Sequence, residues 1–451
     1  MNVHQLENSR VTVIGAARSG IGVAKLLRLK GARVLVSDQR PDDQLHEAAA
    51  DLMAAGISLE TSGHSDRVFD ASLIVLSPGV PSDAPVVREA IRRTIPLVSE
   101  LEVAGWFCKA PMIAVTGSNG KTTTTTLIGR ILGDAKKKHV VAGNIGTAFS
   151  SVVLDMAQEE IAVLEVSSFQ LDYCETFHPG ISVLLNITED HMDRYQHSME
   201  RYAASKAKVF MNQETNDTMI YCSDDPWAAR IAPEARCKKL PFSYTNPQPE
   251  GAWVQNGVIQ VRLRGQHHEV IPIDQMTIRG IHSVFNAMAA ILAGFLLGVG
   301  PASLRATLRN FKGVEHRLEF VRELKGVQYY NDSKATNVDS VRYALQAFTN
   351  PIILLLGGRD KGNDYSVIKS LVQKRVKTVI AIGESAQKIE ASFRDVVPVS
   401  RVSSMDEAVS SASHIAETGD LVLLSPACAS FDWFTNYEHR GMVFKELVNH
   451  L

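Results

Sequence analysis

The 451-residue sequence has few cysteines and no excess of charge of either sign. Its five cysteines are scattered and include no C-x-x-C pair, so the sequence predicts neither a disulfide framework nor a zinc site. Because 47 basic residues accompany 49 acidic ones, the net charge of -2 supplies no general field for gripping nucleic acid or an anionic membrane. Any anionic ligand is therefore expected to be bound by local geometry, and no nucleic-acid partner is expected.

Long hydrophobic runs are also missing. The longest, residues 287–300, is shorter than the roughly 20 residues that a membrane-spanning helix needs, and it predicts a buried helix. The first residues lack a basic region followed by an apolar core, which argues against a signal peptide. We expect a monomer in the reducing cytoplasm, without membrane insertion.

The most informative segment is residues 111–123, where a short apolar strand leads into a glycine-hinged loop. Gly117 and Gly120 allow the backbone N–H groups of the loop to point at phosphate oxygens, while Lys121 adds a positive charge and the Thr122 hydroxyl can complete a Mg²⁺ shell. Val115 stands where the strict phosphate-loop pattern has its first glycine, so the motif is a shortened one. The pattern predicts that ATP or GTP is used.

Three strand-turn-helix openings recur along the chain and predict an α/β protein with doubly wound, mostly parallel sheets. The first covers a Rossmann-like βαβ unit at residues 11–38, in which Ala17 replaces the second glycine of the dinucleotide fingerprint and Asp38 ends the second strand. Given ~150 residues per domain, we expect three domains: a Rossmann-like domain at 1–99, a central ATP-binding domain at 100–313 and a C-terminal Rossmann-like domain at 314–451.

Polar residues follow several of the predicted strands. Glu165 ends one strand and His191 follows the next, both downstream of Lys121, so together they can hold a divalent ion against the nucleotide. In the last third of the chain a similar set suits an anionic substrate and a transferring phosphoryl group. Its members are Asp332, Lys334, Thr336, Lys361 and Ser430.

These residues alone leave other functions open. The βαβ unit at residues 11–38 also suits a nicotinamide-dependent oxidoreductase, although Ala17 weighs against it. A binding module or switch that hydrolyses nucleotide without transferring an acyl group would need the same phosphate loop.

Eight motifs in order across nearly the whole chain resemble the Mur ligase family. They are TGSNGKTT from Thr116, GNIG from Gly143, EVSSFQL from Glu165, NITEDHMDRY from Asn186, EHRLE from Glu315, NDSKATN from Asn331, GGRDKG from Gly357 and LSPACASFD from Leu424. Within the family, the SKATN turn and the SPACASFD segment resemble the member that adds D-glutamate to UDP-N-acetylmuramoyl-L-alanine.

The resemblance implies a role for individual residues. A uridine-diphosphate pocket is implied at Ser19, Asp38, Arg40, Ser77, Gly79 and Asn144. ATP contacts are implied at Gly117, Ser118, Asn119, Gly120, Lys121, Thr122, Thr123, Asn286, Arg317 and Asp332. Two Mg²⁺ ions are implied at Thr122, Glu165, His191 and Lys206, the last as a carbamate. D-Glutamate contacts are implied at His191, Thr336, Lys361, Ser430 and Tyr437.

The implied reaction is an ATP-dependent amide ligation through an acyl phosphate, with Lys121, His191, Lys206 and Lys334 as catalytic residues, in the synthesis of the peptidoglycan precursor. Asn144 and Lys334 would face the transferring phosphoryl group. Two positions depart from the family pattern, since Tyr437 stands where phenylalanine is expected and Arg18 where the pocket residue is usually apolar. A folylpolyglutamate-type ligase shares the ATP half of this pattern and is the alternative within the wider superfamily.

Overall fold

The computed structural model describes residues 6–360 and 362–451. The chain divides into two compact units, of which the first comprises residues 1–275 and 285–309 and the second residues 276–284 and 310–451. The first unit holds two sheets and the second holds one. The three sheets and their helices form the α/β fold class that the sequence predicts.

The first sheet is five-stranded, parallel and ordered β3-β2-β1-β4-β5. Its strands are β1 (Arg10–Ile14), β2 (Arg33–Ser37), β3 (Ser58–Glu60), β4 (Leu73–Leu76) and β5 (Leu97–Ser99), and its helices are α1 (Arg18–Leu29), α2 (His46–Ala54) and α3 (Pro85–Arg92). The order reverses direction beside β1, and in open parallel sheets ligands bind at the carboxyl ends of strands at such a switch point.

Helix α1 begins at Arg18 and contains glycines at positions 20 and 22, although glycine is a poor helix former. Packing explains the helix: a Cβ atom at Gly20 would lie 1.8 Å from the Gly15 carbonyl oxygen, so only glycine lets α1 start this close to the end of β1. Gly15 itself has φ +94, which also favours glycine.

The second sheet has nine strands in the order β14-β13-β12-β11-β10-β9-β6-β8-β7. After helix α4 (Glu100–Phe107), its strands are β6 (Met112–Thr116), β7 (His139–Gly143), β8 (Ile161–Glu165), β9 (Ile181–Leu184), β10 (Thr218–Cys222), β11 (Lys238–Ser243), β12 (Gly251–Gln255), β13 (Val258–Leu263) and β14 (Gln266–Pro272). The accompanying helices are α5 (Lys121–Asp134), α6 (Ser168–Asp172), α7 (Met199–Ala207), α8 (Pro226–Ile231), α9 (Ile281–Leu296) and α10 (Pro301–Asn310). Strands β12, β13 and β14 pair antiparallel.

The third sheet has six strands in the order β15-β16-β20-β17-β18-β19. Only the β15–β16 pair is antiparallel. Its strands are β15 (Glu319–Leu324), β16 (Val327–Asn331), β17 (Ile352–Gly357), β18 (Val376–Ile382), β19 (Val399–Arg401) and β20 (Leu421–Leu424), and its helices are α11 (Val338–Gln346), α12 (Ser366–Arg375), α13 (Ala386–Phe393), α14 (Met405–Ile415) and α15 (Tyr437–His450).

Burial on both faces accounts for the composition of the central strands. Every residue of β17 is buried, and its odd and even positions pack into two separate apolar clusters on opposite faces of the third sheet. Strands of a parallel sheet covered by helices on both faces read as continuous apolar runs, as here. Among the helices described, none is both long enough and apolar enough to cross a membrane.

Candidate functional site

The phosphate loop lies between the end of β6 and the start of α5. Gly117 (φ +153) and Gly120 (φ +87) both have backbone conformations that favour glycine. A Cβ atom at Gly120 would lie 2.2 Å from Oδ1 of Asn286, so there is also no space for a side chain at this position of the loop. The predicted ATP residues Gly120 and Asn286 are therefore brought together.

Side chains beyond β9 hold the loop in place. The Asn119 N–H donates to Oδ1 of Asn186 at 2.8 Å, and Nδ2 of Asn186 donates to the Asn119 carbonyl oxygen at 3.0 Å. Ser118 Oγ donates to the Thr188 carbonyl oxygen at 2.9 Å. The sequence analysis gave no role to Asn186 or Thr188, although both lie in the NITEDHMDRY motif that it singled out.

Lys121 lies at the first position of α5, with its ammonium over the loop. Its Nζ atom donates to the carbonyl oxygens of Gly117 at 2.8 Å and Ser118 at 2.9 Å. Thr122 is half-buried and Thr123 is buried on the first turn of the helix. This arrangement concentrates positive charge and backbone N–H groups where a phosphate chain would bind.

Lys206, on α7, is almost fully buried, with 1% of its surface exposed. Its Nζ atom donates to the Gly117 carbonyl oxygen at 2.9 Å and lies 4.4 Å from the centroid of the Tyr202 ring. Burial, together with the nearby charge of Lys121, lowers the pKa of Lys206 well below its ordinary value, against the opposing effect of Asp190 and Asp172. The structure thus brings the two predicted residues Lys121 and Lys206 to one carbonyl oxygen.

Glu165 is the last residue of β8 and is buried. Its Oε1 atom accepts a 2.8 Å hydrogen bond from Nδ2 of Asn144. Its Oε2 atom is buried and has no hydrogen-bond partner among the residues that the structure describes. A buried carboxylate oxygen without a hydrogen bond or a bound cation costs free energy, because it has lost its contact with water. Mg²⁺ prefers hard oxygen ligands of this kind. Glu165 therefore fits a magnesium ligand.

His191 lies on the loop after β9 and has a left-handed backbone conformation, with φ 55. Its ring packs edge-on against Phe169, with 4.7 Å between centroids, and its Nε2 atom lies 3.6 Å from Oδ2 of Asp190. The Arg194 guanidinium also packs on Phe169, 4.0 Å from the ring centroid. Asp190 and Arg194 help to position His191, and the sequence analysis gave neither a role.

A cavity of about 490 Å³ lies at the carboxyl ends of the first-sheet strands and at the start of the 143–148 loop. We call it the first-domain cavity. All six residues predicted for the uridine-diphosphate pocket line it: Ser19, Asp38, Arg40, Ser77, Gly79 and Asn144. Arg18 and His64 also line this cavity.

Asp38 and Arg40 form an ion pair on the wall of the first-domain cavity. Nη2 of Arg40 donates to Oδ2 of Asp38 at 2.8 Å, and the Ala16 N–H donates to the same oxygen at 2.7 Å. Burial by itself would raise the pKa of Asp38, but the hydrogen bonds from Arg40 and Ala16 outweigh burial and lower it to about 2. Asp38 thus fixes the turn after β1 and orients Arg40.

The second unit contains the remaining predicted residues. Asp332 is buried; its Oδ2 atom accepts from Ser425 Oγ at 2.8 Å, and its Oδ1 atom lies 3.9 Å from Nη1 of Arg317. Burial raises the pKa of Asp332 to about 6, although Arg317 and Ser425 oppose the shift. Lys334 lies with Nζ 5.1 Å from the centroid of the Tyr437 ring. Lys361 lies outside the described residues.

Arg440, which the sequence analysis missed, connects the segments that carry these residues. It is 1% exposed and donates to the carbonyl oxygens of Ser333, Cys428 and Ala429 at 2.8, 3.1 and 3.3 Å. Ser333 precedes Lys334, and Ala429 precedes the buried Ser430. The role of Arg440 follows from its burial. The sequence does not reveal that burial, because a single charged residue in a helical segment is usually exposed.

Glu315, His316 and Glu319 also cluster closely enough to suggest a metal site. However, Nζ of Lys445 donates to both carboxylates, at 2.7 Å to Glu315 and 2.6 Å to Glu319. The Lys445 ammonium already occupies the position between the two carboxylates and offsets part of their charge, and these ion pairs attach α15 to the start of β15.

Comparisons with known proteins show the family that the chain resembles. Residues 9–99 match the N-terminal domain described as Mur ligase MurD-like, residues 115–294 match the Mur ligase middle domain, and residues 316–428 match the Mur ligase glutamate ligase domain. UDP-N-acetylmuramoylalanine--D-glutamate ligase from Salinibacter ruber is 44% identical and that from Chloroherpeton thalassium is 42% identical, each with 100% of both chains covered.

Solved structures give the same fold at lower identity. A pseudomurein peptide ligase type C from Methanothermus fervidus matches with a TM-score of 0.63 at 20% identity, covering 98% of this chain and 100% of the other. UDP-N-acetylmuramate-alanine ligase from Thermotoga maritima matches with a TM-score of 0.60 at 19% identity, with the same coverage. These structures support the three-domain α/β fold alone.

Proposed function

The chain belongs to the Mur ligase family, and from this premise we propose that it is an ATP-dependent ligase that joins D-glutamate to UDP-N-acetylmuramoyl-L-alanine in the synthesis of the peptidoglycan precursor. The observation that carries the proposal is the identity of 42 to 44% over the full chain with relatives named as that ligase. These full-length relatives favour this ligase over the folylpolyglutamate-type and oxidoreductase alternatives.

The reaction must first activate a carboxylate, because a carboxylate is a poor electrophile at neutral pH. An oxygen of the L-alanyl carboxylate attacks the γ-phosphorus of ATP, and the bond to ADP breaks. The amine of D-glutamate then attacks the carbonyl carbon of the acyl phosphate, and the tetrahedral intermediate expels inorganic phosphate and leaves the amide. Each step needs positive charge where negative charge accumulates.

We assign ATP binding to the phosphate loop, with Lys121 next to the outer phosphates. The two hydrogen bonds from Nζ of Lys121 to loop carbonyl oxygens support this assignment, because the ammonium is already held over the loop. Asn286, Arg317 and Asp332 are further proposed ATP contacts. Lys334 and Asn144 are proposed to contact the transferring phosphoryl group.

Magnesium is proposed to bind at Thr122, Glu165, His191 and a carbamate of Lys206. When bound, the ion would screen the repulsion between the substrate carboxylate and the γ-phosphate. Support comes from Oε2 of Glu165, which is buried with no hydrogen-bond partner among the residues described. We propose two ions, as the family resemblance implies, with Glu165 on β8 and the carbamate of Lys206 on α7 as oxygen ligands.

The carbamate is supported by the surroundings of Lys206. Burial and the charge of Lys121 lower the pKa of Lys206, which favours the neutral amine; its lone pair can attack CO₂ to give an N-carboxylate and one proton. The charge of Lys121, which disfavours an ammonium at Lys206, would favour the carbamate anion. An unmodified ammonium has no lone pair with which to ligate a metal ion.

The first-domain cavity is proposed to bind the uridine-diphosphate part of the substrate, through Ser19, Asp38, Arg40, Ser77, Gly79 and Asn144. D-Glutamate is proposed to contact His191, Thr336, Lys361, Ser430 and Tyr437. The proposed domain boundaries are 1–99, 100–313 and 314–451. A monomeric state remains our expectation.

An isotope experiment tests the chemical step. The L-alanyl carboxylate of the substrate is labelled with ¹⁸O and turned over with ATP and D-glutamate. The proposal predicts one ¹⁸O atom in each phosphate released, because the carboxylate oxygen leaves with the phosphoryl group. Unlabelled phosphate would mean that ATP is hydrolysed by water and that no acyl phosphate forms.

A further inference from the structure

Arg18 is a charged residue of the first-domain cavity to which the proposed function gives no role. It is exposed, lies at the first position of helix α1 and lines the cavity together with Ser19. Its Nη1 atom donates a 2.6 Å hydrogen bond to the Gly146 carbonyl oxygen. This contact holds the guanidinium across the rim of the cavity, between α1 and the 143–148 loop.

The position of Arg18 is electrostatically unfavourable in the absence of an anion. The N-terminus of a helix carries partial positive charge, and a cation there destabilises the helix. The first turn of α1 contains no acidic residue, and its N-cap residue, Ala17, makes no side-chain hydrogen bond to it. A cation that breaks the local charge rule at the edge of a cavity indicates a functional position.

The other charged groups that line the first-domain cavity do not balance the positive charge of Arg18. Asp38 is ion-paired with Arg40, and burial lowers the pKa of His64, which disfavours a charged imidazole. Arg18 forms no ion pair with a carboxylate among the described residues, and its hydrogen bond to Gly146 uses one of five guanidinium N–H donors. The cavity wall therefore carries one net positive charge, located at Arg18.

We propose that Arg18 determines affinity for the diphosphate of the nucleotide substrate, by donating charge-assisted hydrogen bonds to its phosphate oxygens. The inference rests on the proposed uridine-diphosphate pocket and adds to it a residue and the chemical group that it recognises. A guanidinium presents a planar set of donors that matches phosphate oxygens, which an apolar residue at this position cannot supply. The affinity of the wild-type protein for the diphosphate should therefore fall more steeply with ionic strength than that of a variant without Arg18.

A ligand series separates the diphosphate from the nucleoside. Uridine, UMP and UDP are titrated into the wild-type protein and Arg18→Leu by calorimetry, at low and at high salt. We expect Arg18→Leu to lower the affinity for UDP about tenfold, which is the scale of one charge-assisted hydrogen bond at a partly exposed site. The affinity for uridine should stay within about twofold of the wild-type value. Arg18→Lys should retain part of the affinity, because it keeps the charge but loses the planar donors.

Arg33→Leu is the matched control, since it makes the same substitution at the opposite, amino end of neighbouring strand β2. It should leave all three affinities unchanged. Equal UDP affinity for the wild-type protein and Arg18→Leu would overturn the inference while leaving the pocket assignment in place. So would an equal loss of uridine and UDP, which would make Arg18 a nucleoside or structural contact. If the wild-type protein binds neither uridine nor UDP, the pocket assignment itself fails.

Discussion

Lys121 and Lys206 donate hydrogen bonds to the same atom, the carbonyl oxygen of Gly117, at 2.8 and 2.9 Å. Two ammonium groups so close together, one of them buried, cannot both keep their charge without a large cost. Burial and the charge of Lys121 lower the pKa of Lys206, which favours the neutral amine that carbamylation needs.

Lys206→Ala is therefore expected to be nearly inactive, because it removes the proposed carbamate ligand. A short carboxylic acid added in excess should restore part of the activity by supplying the missing oxygen atoms. Phosphate release, measured with and without the added acid, checks this prediction. Normal activity of Lys206→Ala in bicarbonate-free buffer would contradict both the carbamate and the second metal ion.

Lys208→Ala is the control for that experiment. Nζ of Lys208 donates to the Asp172 carbonyl oxygen at 2.5 Å, away from the phosphate loop, so its loss should leave turnover largely unchanged. A loss equal to that of Lys206→Ala would point to damage to α7 itself.

For the first-domain cavity, we expect Arg40→Ala to raise the KM for the UDP-substrate at least about tenfold, because a charge-assisted contact is lost. The KM for ATP should change little, since Arg40 is proposed to contact only the uridine end. Steady-state kinetics with each substrate varied in turn measures both values. A similar rise in both would mean that the cavity is not the uridine-diphosphate pocket.

Asp38 should make stability depend on pH in the acid range. Its pKa of about 2 lies below the ordinary value of 3.8, so its ion pair contributes stability above about pH 4, and this contribution is lost as the pH falls through 2. The free-energy difference between the wild-type protein and Asp38→Asn, measured by urea unfolding, should shrink by about 1 to 2 kcal/mol between pH 5 and pH 2.5. A constant difference would show that Asp38 is not ion-paired in solution.

The sequence predicted the three α/β domains and most strands because buried parallel strands are apolar along their whole length, as β17 is. It also identified Glu165, which ends its strand as predicted. What it could not provide depends on tertiary contacts. The burial of Lys206 and the hydrogen bonds between Asn186 and the phosphate loop are both set by residues distant in the sequence.

Arg440 shows the same limitation and leads to a stability prediction. Arg440→Ala would leave the carbonyl oxygens of Ser333, Cys428 and Ala429 without the donors that they have now. We expect a loss of about 3 to 5 kcal/mol in the unfolding free energy of the second unit, as for other broken buried charge networks. Urea unfolding followed by hydrogen exchange measures the loss in that unit.

The matched control is Arg359→Ala, which removes an exposed ion pair with Glu384 and should cost at most about 1 kcal/mol. If the two variants lose equal stability, the buried arginine does not connect the segments around Ser333 and Cys428.

The measurement that tests the central claim most directly is phosphate release by the wild-type protein with ATP, Mg²⁺ and UDP-N-acetylmuramoyl-L-alanine against a panel of D- and L-amino acids. The account predicts release that requires the UDP-substrate and D-glutamate together, with one amide formed for each phosphate and no comparable product from L-glutamate or other amino acids. Stoichiometric phosphate release without any amino acid, or equal turnover with L-glutamate, would contradict it.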